Sequence, residues 1–452
     1  MTEWKKIKTG TFLFEREGKY KPNDKALSGL KRIEKIDFSG NFHIASKPSR
    51  TNMILICPND LVISGINVSK GAMGVYHGSE NVTATIHYSS YTFDTEIINI
   101  EYFKRFLKSQ EFVKLLKMQV KGGIKTEIKP KHLLALKIDL PTLDKQETIV
   151  SYFESIETEE RDLKEELTHQ QTLLKKLRQQ ILQEAIEGKL TADWRQQNPD
   201  VEPASELLAR IQKEKAQLIK DKKIKKQKPL PPISEEEKPF ALLEGWEWCR
   251  LGSLGLIQGG GTPSKANIDY WNGAIPWICP KDMKKKYLSN SIYKITPQAV
   301  VKSSAKFLSK QSVLFVVRGM ILSHSFPVAI NTEKATVNQD MKALTIYIDG
   351  LEEYVYLALK GSSQEILKKV RTSTHGTCRL ESDIYYNWVV AMPPLDEQQD
   401  IITKVEKLLA LCDQLETQIT QDQIHAEQLM QAVLREAFSQ PPDQQNQEAA
   451  NA

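Results

Sequence analysis

One long helical pattern occurs twice in this chain of 452 residues. From Ile149 to Ile181, apolar residues recur at steps of four and three, which is the spacing of a coiled-coil seam. The pattern returns 252 positions later, where Ile401 answers to Ile149, and the match needs no gap. A pattern repeated at a fixed offset indicates an internal duplication rather than two unrelated amphipathic helices.

The predicted seam residues of the two copies are Ile149, Phe153, Ile156, Leu163, Leu167, Leu174, Leu177 and Ile181, then Ile401, Val405, Leu408, Leu415, Ile419, Leu429 and Val433. The first helix is predicted over 144–188 and the second over 396–440. At about 1.5 Å per residue, each would be a rod of roughly 67 Å. We expect the two rods to pair with each other as an antiparallel coiled coil.

Each predicted rod follows a segment of mixed strand and helix character, at 1–143 and at 245–395. The fold class is therefore α+β, with two similar domains that are each followed by a long helix. Residues 189–244 are predicted to be a linker, with a short helix at 204–220 and a lysine-rich run near Lys222. Because this linker is rich in charge and proline, we expect it to be semi-extended and mobile. Residues 441–452 are predicted to be a flexible tail.

Charge separates the domains from the rods. Counted as Lys+Arg minus Asp+Glu, residues 1–143 carry +9 and residues 245–395 carry +7, whereas 144–188 and 396–440 carry −5 and −6. A basic surface attracts a polyanion such as nucleic acid, and an acidic rod is repelled by it. The rods are thus better suited to holding each other or a protein partner, although solvated charge without any partner remains an alternative.

Several classes of protein are disfavoured by what the sequence lacks. No run of about 18 apolar residues predicts a membrane span, and Met1 is not followed by an apolar leader, so we expect a cytoplasmic protein. The five cysteines are widely spaced and suit buried thiols rather than disulfides or a zinc site. The sequence has no phosphate-binding loop, no His-Glu-x-x-His and no Asn/Asp-Pro-Pro-Tyr/Phe motif. We therefore expect a non-catalytic chain with no metal site and no cofactor of its own.

Short motifs at the domain boundaries carry a resemblance to a known family. Pro-x-Leu-Asp-x-Gln precedes both rods, at Pro141 and at Pro393, and Gly-Lys-Leu-Thr-Ala-Asp-Trp-Arg follows the first rod from Gly188. The second domain opens with Gly-Gly-Thr-Pro-Ser from Gly260 and Trp-Asn-Gly-x-Ile-Pro-Trp from Trp271. Over essentially its whole length the chain resembles the specificity subunit of type I restriction-modification systems. The first domain departs from the usual opening, because no Gly-Gly-Thr-Pro run follows Trp4.

The resemblance implies that each domain is a target-recognition domain reading one half of a split site in double-stranded DNA. It also implies that the paired rods dock two modification (methyltransferase) subunits. Those partners would use S-adenosylmethionine to methylate adenine, and a restriction subunit acting as translocase and nuclease would use ATP and Mg. Since duplex DNA has approximate twofold symmetry, a duplicated chain can present related domains to related half-sites.

Basic side chains on loops are the candidates for contacts with DNA, because they can grip phosphates or read guanine, while Asn and Gln suit adenine. The predicted contacts are Arg50, Lys70 and Lys121 in the first domain, and Lys281, Lys284, Arg318, His324, Arg371 and Arg379 in the second. Two other functions stay open: a stand-alone DNA-binding regulator, and a scaffold that only uses its coiled coil to hold two domains apart. The regulator would lack methyltransferase partners, and the scaffold would show no salt-dependent binding to DNA.

Overall fold

The computed structural model describes residues 4–22, 24–45, 50–65, 67, 71–109, 112, 114, 115, 118, 133–373 and 376–438. The chain divides into two compact units. The first unit comprises Met1–His169 and Ile419–Ala452, and the second comprises Gln170–Gln418. Each long helix contributes one end to each unit.

The described residues of the first unit include a small helix beside three sheets. Its strands are β1 Trp4–Lys8, β2 Leu13–Glu15, β3 Arg32–Ile36, β4 Phe42–Ala45, β5 Met53–Ile56, β6 Leu61–Ser64, β7 Met73–Val75, β8 Val82–Thr85, β9 Tyr88–Phe93 and β10 Lys137–Pro141. They form the orders β2-β9-β6-β7, β4-β3-β8-β5 and β1-β10. Helix α1 is Ile100–Phe106.

An aromatic core joins the first unit to the ends of both long helices. Phe153 of the first long helix stacks on Phe438 of the second, with ring centroids 5.7 Å apart. Phe106 of α1 meets the same Phe438 edge-on at 5.6 Å. Since aromatic rings bury large apolar areas and prefer stacked or edge-on contacts, this cluster attaches the domain to the paired helices.

The second unit contains the second domain, the short helices between residues 192 and 387, and the other end of each long helix. Its strands are β11 Glu247–Arg250, β12 Gly255–Gly259, β13 Trp271–Ile278, β14 Tyr287–Leu288, β15 Tyr293–Ile295, β16 Val313–Val316, β17 Val328–Asn331, β18 Thr336–Val337, β19 Met341–Ile346, β20 Arg371–Thr372, β21 Cys378–Arg379 and β22 Val389–Met392. They form the orders β12-β19-β16-β17-β14, β15-β13-β18, β11-β22 and β20-β21.

The remaining helices are α2 Leu143–Ile186, α3 Ala192–Gln197, α4 Ala204–Lys220, α5 Leu251–Leu254, α6 Pro297–Lys302, α7 Glu352–Gly361, α8 Ser363–Lys368, α9 Ser382–Asn387 and α10 Leu395–Phe438. The long helices α2 and α10 have 44 residues each. Gly188 follows α2 with a φ of +68°, a left-handed conformation that glycine adopts without strain.

The two long helices run antiparallel within the second unit. Arg178 of α2 donates to Asp413 Oδ1 at 2.6 Å and to Glu416 Oε2 at 2.8 Å. Further along the chain, Lys404 of α10 donates to the carbonyl oxygen of Leu190 at 3.2 Å. Later residues of the first segment therefore contact earlier residues of the second, as the predicted fold requires.

Burial follows most of the predicted seam. The buried members are Ile149, Phe153, Leu167, Leu174, Ile181, Ile401, Val405 and Ile419, and the half-buried members are Ile156, Leu408 and Val433. These residues lie on the inner faces of α2 and α10, where apolar side chains leave water.

Four predicted seam residues differ, because their side chains are exposed: Leu163 at 43%, Leu177 at 44%, Leu415 at 52% and Leu429 at 64%. After Leu174 the next residue on the inner face of α2 is Arg178, four positions on. Leu177 therefore points away from that face. Similarly, the four-residue step after Ala426 reaches the half-buried Met430 rather than Leu429. Leu163 and Leu415 do fit the four-and-three spacing of the seam. They are exposed because only two helices pair, so residues at the edge of the contact face still meet solvent.

The repeated Pro-x-Leu-Asp-x-Gln motif builds the start of each long helix. Gln146 is fully buried and donates to the carbonyl oxygens of Pro141 at 2.9 Å and Ile97 at 3.1 Å. Its side-chain oxygen accepts from the Asn99 backbone N–H at 2.7 Å, just before α1. In the second copy the buried Gln398 donates to the carbonyl oxygen of Pro393 at 3.0 Å. The glutamine thus anchors each helix to the strand before it.

A buried carboxylate joins three segments at the second junction. Glu397 has no exposed side-chain surface. It accepts hydrogen bonds from Thr191 Oγ1 at 2.6 Å and Trp246 Nε1 at 2.8 Å, and it also pairs with Arg195. Since Thr191 and Arg195 belong to the motif after the first rod, that motif serves to hold Glu397.

The proline-rich part of the linker is bound to the second domain, which differs from the mobile segment expected. Arg250 is buried and donates to the carbonyl oxygens of Pro231 at 3.2 Å and Pro232 at 2.7 Å. It also pairs with Glu237 at 2.6 Å and thereby lowers the pKa of that carboxyl to about 2. Most of these contacts are made by backbone carbonyl groups, which every residue has. The amino-acid composition of the linker therefore did not predict them.

We predict that Glu397→Ala lowers the free energy of unfolding by about 3–5 kcal/mol, because it leaves the half-buried Arg195 and the buried Trp246 without their acceptor. Urea denaturation followed by helical circular dichroism measures this change. Glu333→Ala is the control, since Glu333 forms an exposed pair with Lys310, and it should cost at most about 1 kcal/mol. Equal losses for the two variants would contradict the anchoring role of Glu397.

Candidate nucleic-acid interface

Backbone pairing brings three of the predicted DNA contacts together in the second domain. Arg371 of β20 lies directly opposite Arg379 of β21 in an antiparallel pair. Arg379 also forms an isolated β-bridge with Arg318. All three side chains are exposed. We call Arg318, Arg371 and Arg379 the arginine cluster.

Like charges directly opposite each other destabilise a pair of strands. Within the described residues the acidic partners do not match the cluster's charge: Arg318 pairs with Asp340 at 2.6 Å, Arg379 reaches Glu381 at 3.4 Å, and Arg371 has no ion pair. Such a cluster is suited to an external polyanion, which would relieve the repulsion.

The Arg318 side chain is held by the turn at residues 338–340, which is itself stabilised by hydrogen bonds. Asp340 Oδ1 accepts from Arg318 Nε, and Asp340 Oδ2 accepts from Asn338 Nδ2 at 2.9 Å. The Asp340 carbonyl oxygen accepts the backbone N–H groups of Val317 at 2.8 Å and Arg318 at 3.1 Å. A guanidinium oriented in this way is a pre-organised donor for phosphate or guanine.

Lys342 extends the basic surface beyond the three arginines. Burial lowers the pKa of its ammonium group, and the neighbouring charges of Arg379 and Lys306 lower it further. Its position near these cations makes the cluster still more favourable for an anion.

The Gly-Gly-Thr-Pro-Ser loop lies against the same turn. A Cβ on Gly260 would stand 1.7 Å from the Val337 carbonyl oxygen, so only glycine fits there. Trp277 Nε1 donates to the Gly261 carbonyl oxygen at 2.9 Å, and Thr262 is hydrogen-bonded to the exposed Gln339. The glycines thus let the loop approach the turn closely and place Gln339, whose amide suits adenine, on the exposed side.

Two more predicted residues, Lys281 and Lys284, line a separate cleft of about 450 Å³ beside Lys360 and Tyr356. Asp282, between the two lysines, accepts the backbone N–H of Cys279 at 2.8 Å. His324 is exposed and lines a neighbouring cavity. The structure therefore separates these three candidates from the arginine cluster.

In the first domain the structure describes one of the three predicted contacts. Arg50 is exposed immediately before the strand Met53–Ile56. Lys70 and Lys121 lie outside the described residues.

Sequence reasoning missed Lys306 and Lys342 because only the folded sheet places them near Arg379. It also assigned no role to Asn338-Gln339-Asp340, although polar residues directly after a strand were the available signal. In the part of the chain that is described, no cluster of three His, Cys, Asp or Glu residues could hold a metal ion. Across the same residues, no helix has the length and apolar character needed to cross a membrane.

Comparison with known proteins gives matches in both sequence and structure. Residues 243–424 match the family described as "Type I restriction modification DNA specificity domain". The EcoR124I/EcoR124II specificity subunit of Escherichia coli is 36% identical over 170 residues, which are 37% of this chain and 42% of the relative. The EcoAI specificity subunit of Escherichia coli is 33% identical over 266 residues, 58% of this chain and 44% of the relative. The chain spans less than half the length of these two relatives.

Two solved structures share the fold over most of the chain. One comes from a study of complex assembly and conformational transition of the type I R-M system; it has a TM-score of 0.63 and 16% identity, covering 96% of this chain and 97% of that one. The other, the HsdS subunit from Thermoanaerobacter tengcongensis, has a TM-score of 0.54 and 17% identity, covering 96% of both chains. Residues 243–424 therefore match the type I restriction modification DNA specificity family, and the predicted resemblance of the chain to type I specificity subunits is confirmed.

Proposed function

We propose that this chain is the non-catalytic specificity subunit of a type I restriction-modification complex. In this role it binds double-stranded DNA and reads a bipartite site, one half-site with each domain. The observation that carries the proposal is the arginine cluster, in which cations lie opposite one another on an exposed pair of strands. The match of residues 243–424 to the DNA specificity family supports the same reading.

Readout in the second domain combines two kinds of contact. The arginines and lysines grip phosphates, which supplies salt-dependent affinity without sequence information. Arg318, fixed by Asp340, and Gln339, on the neighbouring turn, are placed to read guanine and adenine in the major groove. Because separate loops carry these side chains, the bases read can change while the sheets beneath them stay the same.

The paired helices hold the two domains at a defined spacing and dock two modification subunits. Their net negative charge keeps them from competing with the domains for DNA. Chemistry belongs to the partners, which use S-adenosylmethionine for methylation and, in the restriction complex, ATP and Mg. The complex acts in the cytoplasm, where its DNA target lies.

The proposal predicts that the complex with its modification subunits methylates adenines in a split site with a fixed spacer. Long-read sequencing of the host genome, with and without the gene for this chain, measures the motif. A continuous motif, or none that depends on this gene, would contradict the proposal. A chain that binds DNA but captures no methyltransferase subunit would instead be the stand-alone regulator.

Shortening both helices by one matched heptad should shorten the spacer. In the first unit Phe153 stacks on Phe438, so residues 160–166 match residues 425–431 in an antiparallel pair. Removing both segments shortens the rods by about 10 Å, since the rise is about 1.5 Å per residue. That is about three base pairs, at roughly 3.4 Å per pair. Methylation motif sequencing of the variant should show the shorter spacer with both half-sites unchanged; altered half-site bases would refute the spacing role.

The arginine cluster gives a prediction with two opposed readouts. Arg371→Ala should weaken binding of the complex to its site and lower the slope of log affinity against log salt by about 0.9, because it removes one phosphate contact. It should leave the thermal stability of the free chain unchanged or slightly higher, because it removes a repulsion across the strand pair.

Fluorescence anisotropy with the specific duplex and thermal unfolding measure these two effects. Arg210→Ala is the control, because Arg210 lies on α4 and pairs with Glu202; it should change neither. Unchanged affinity together with lowered stability would assign Arg371 a purely structural role.

A further inference from the structure

We infer that Lys360 and Lys108, which occupy equivalent positions in the two halves of the repeat, each bind one backbone phosphate of the DNA duplex. This inference rests on the proposed function and adds two phosphate sites, one on α7 and one just after the equivalent helix α1, apart from the arginine cluster.

Lys360 lies at the end of α7, on the wall of the 450 Å³ cleft. Its side chain is half-buried, and burial lowers the pKa of its ammonium group. Among the described residues it makes no ion pair and no side-chain hydrogen bond. An ammonium that is partly withdrawn from water without a counter-charge is costly, and an anion in the cleft would offset that cost.

The cleft is lined by five lysines and by no acidic side chain. The five are Lys281, Lys284, Lys285, Lys286 and Lys360. Lys286 is already neutralised, since it pairs with Glu353 at 2.9 Å and with Glu406 at 2.7 Å. On the other side of Lys360, the carboxylate of Asp413 accepts a hydrogen bond from Arg178. The cleft therefore keeps a positive charge that the described chain does not cancel.

The repeat supplies an independent observation. The offset of 252 positions that relates the long helices also relates α1, which begins at Ile100, to α7, which begins at Glu352. Lys108 answers to Lys360 under this offset. Lys108 is exposed. Burial lowers the pKa of the nearby His77, and the charges of Lys104 and Lys108 lower it further. A lysine without an ion pair among the described residues thus lies at, or two residues beyond, the end of the equivalent helix in each domain.

Duplex DNA is the anion that accounts for this repetition. Its backbone offers regularly spaced phosphates with approximate twofold symmetry, which a duplicated pair of lysines can meet in equivalent ways. A lysine that touches a phosphate positions the domain on the duplex and carries no sequence information. Loss of either lysine should therefore weaken binding to all sequences equally.

The test compares complexes of the intact chain with its modification subunits, carrying Lys360→Met, Lys108→Met or both. Binding to the specific duplex and to a scrambled duplex is measured by fluorescence anisotropy across a range of salt concentrations. The slope of log affinity against log salt should fall by about 0.9 for each variant and by about twice that for the double variant. The ratio of specific to non-specific affinity should stay constant. Lys360→Arg should restore the slope, and thermal unfolding checks that each variant folds.

Lys368→Met is the matched control, because Lys368 lies one short helix further on, pairs with Glu365 and does not line the cleft; it should leave the slope unchanged. A second arm replaces single phosphates of the duplex with neutral methylphosphonates. The intact complex should lose affinity at one position that no longer matters in Lys360→Met. The inference would be overturned if both proteins showed the same dependence on methylphosphonate position, as expected when the cleft binds a free anion. An unchanged salt slope would overturn it as well. In both cases the proposed function would stand. A complex that binds neither duplex overturns both.

Discussion

The buried Glu397 is the interaction on which the second half of the structure depends. Its carboxylate receives hydrogen bonds from Thr191, Arg195 and Trp246, which belong to the exit of the first rod and to the entrance of the second domain. Glu397 itself lies in the first turn of the second rod. Because a charged group without exposed surface must be fully paired, this one carboxylate fixes three segments in a single arrangement.

The degree of pairing of each charge also distinguishes the structural ion pairs from the candidate DNA interface. Arg250 and Glu397 are buried and satisfied by partners of opposite charge or by carbonyl oxygens. The arginine cluster and the lysines of the cleft are exposed or half-buried, and the described acidic residues pair with only some of them, such as Arg318, Arg379 and Lys286. Basic residues with complete internal pairing serve the fold, whereas those left with surplus charge are the ones available to a polyanion.

Much of the fold followed from the sequence because the coiled-coil pattern repeats and its period is specific. Both rods and the helix Ala204–Lys220 occur within a few residues of their predicted bounds. The exceptions have local causes. Leu177 and Leu429 are apolar but lie one residue away from the inner face, where Arg178 and Met430 stand instead. The linker at 230–237 was expected to be mobile, yet its carbonyl groups and Glu237 bind Arg250.

By itself the sequence determined the duplication, the alternation of basic domains with acidic rods, and the family resemblance, since these depend on the order and spacing of residues along the chain. Only the tertiary structure decided which cations lie together. Arg318 is distant in the chain from Arg371 and Arg379 and meets Arg379 through backbone pairing, while Lys281 and Lys284 join Lys360 in a different cleft. Strand pairing and helix packing set these distances, and neither is encoded in any short stretch of the sequence.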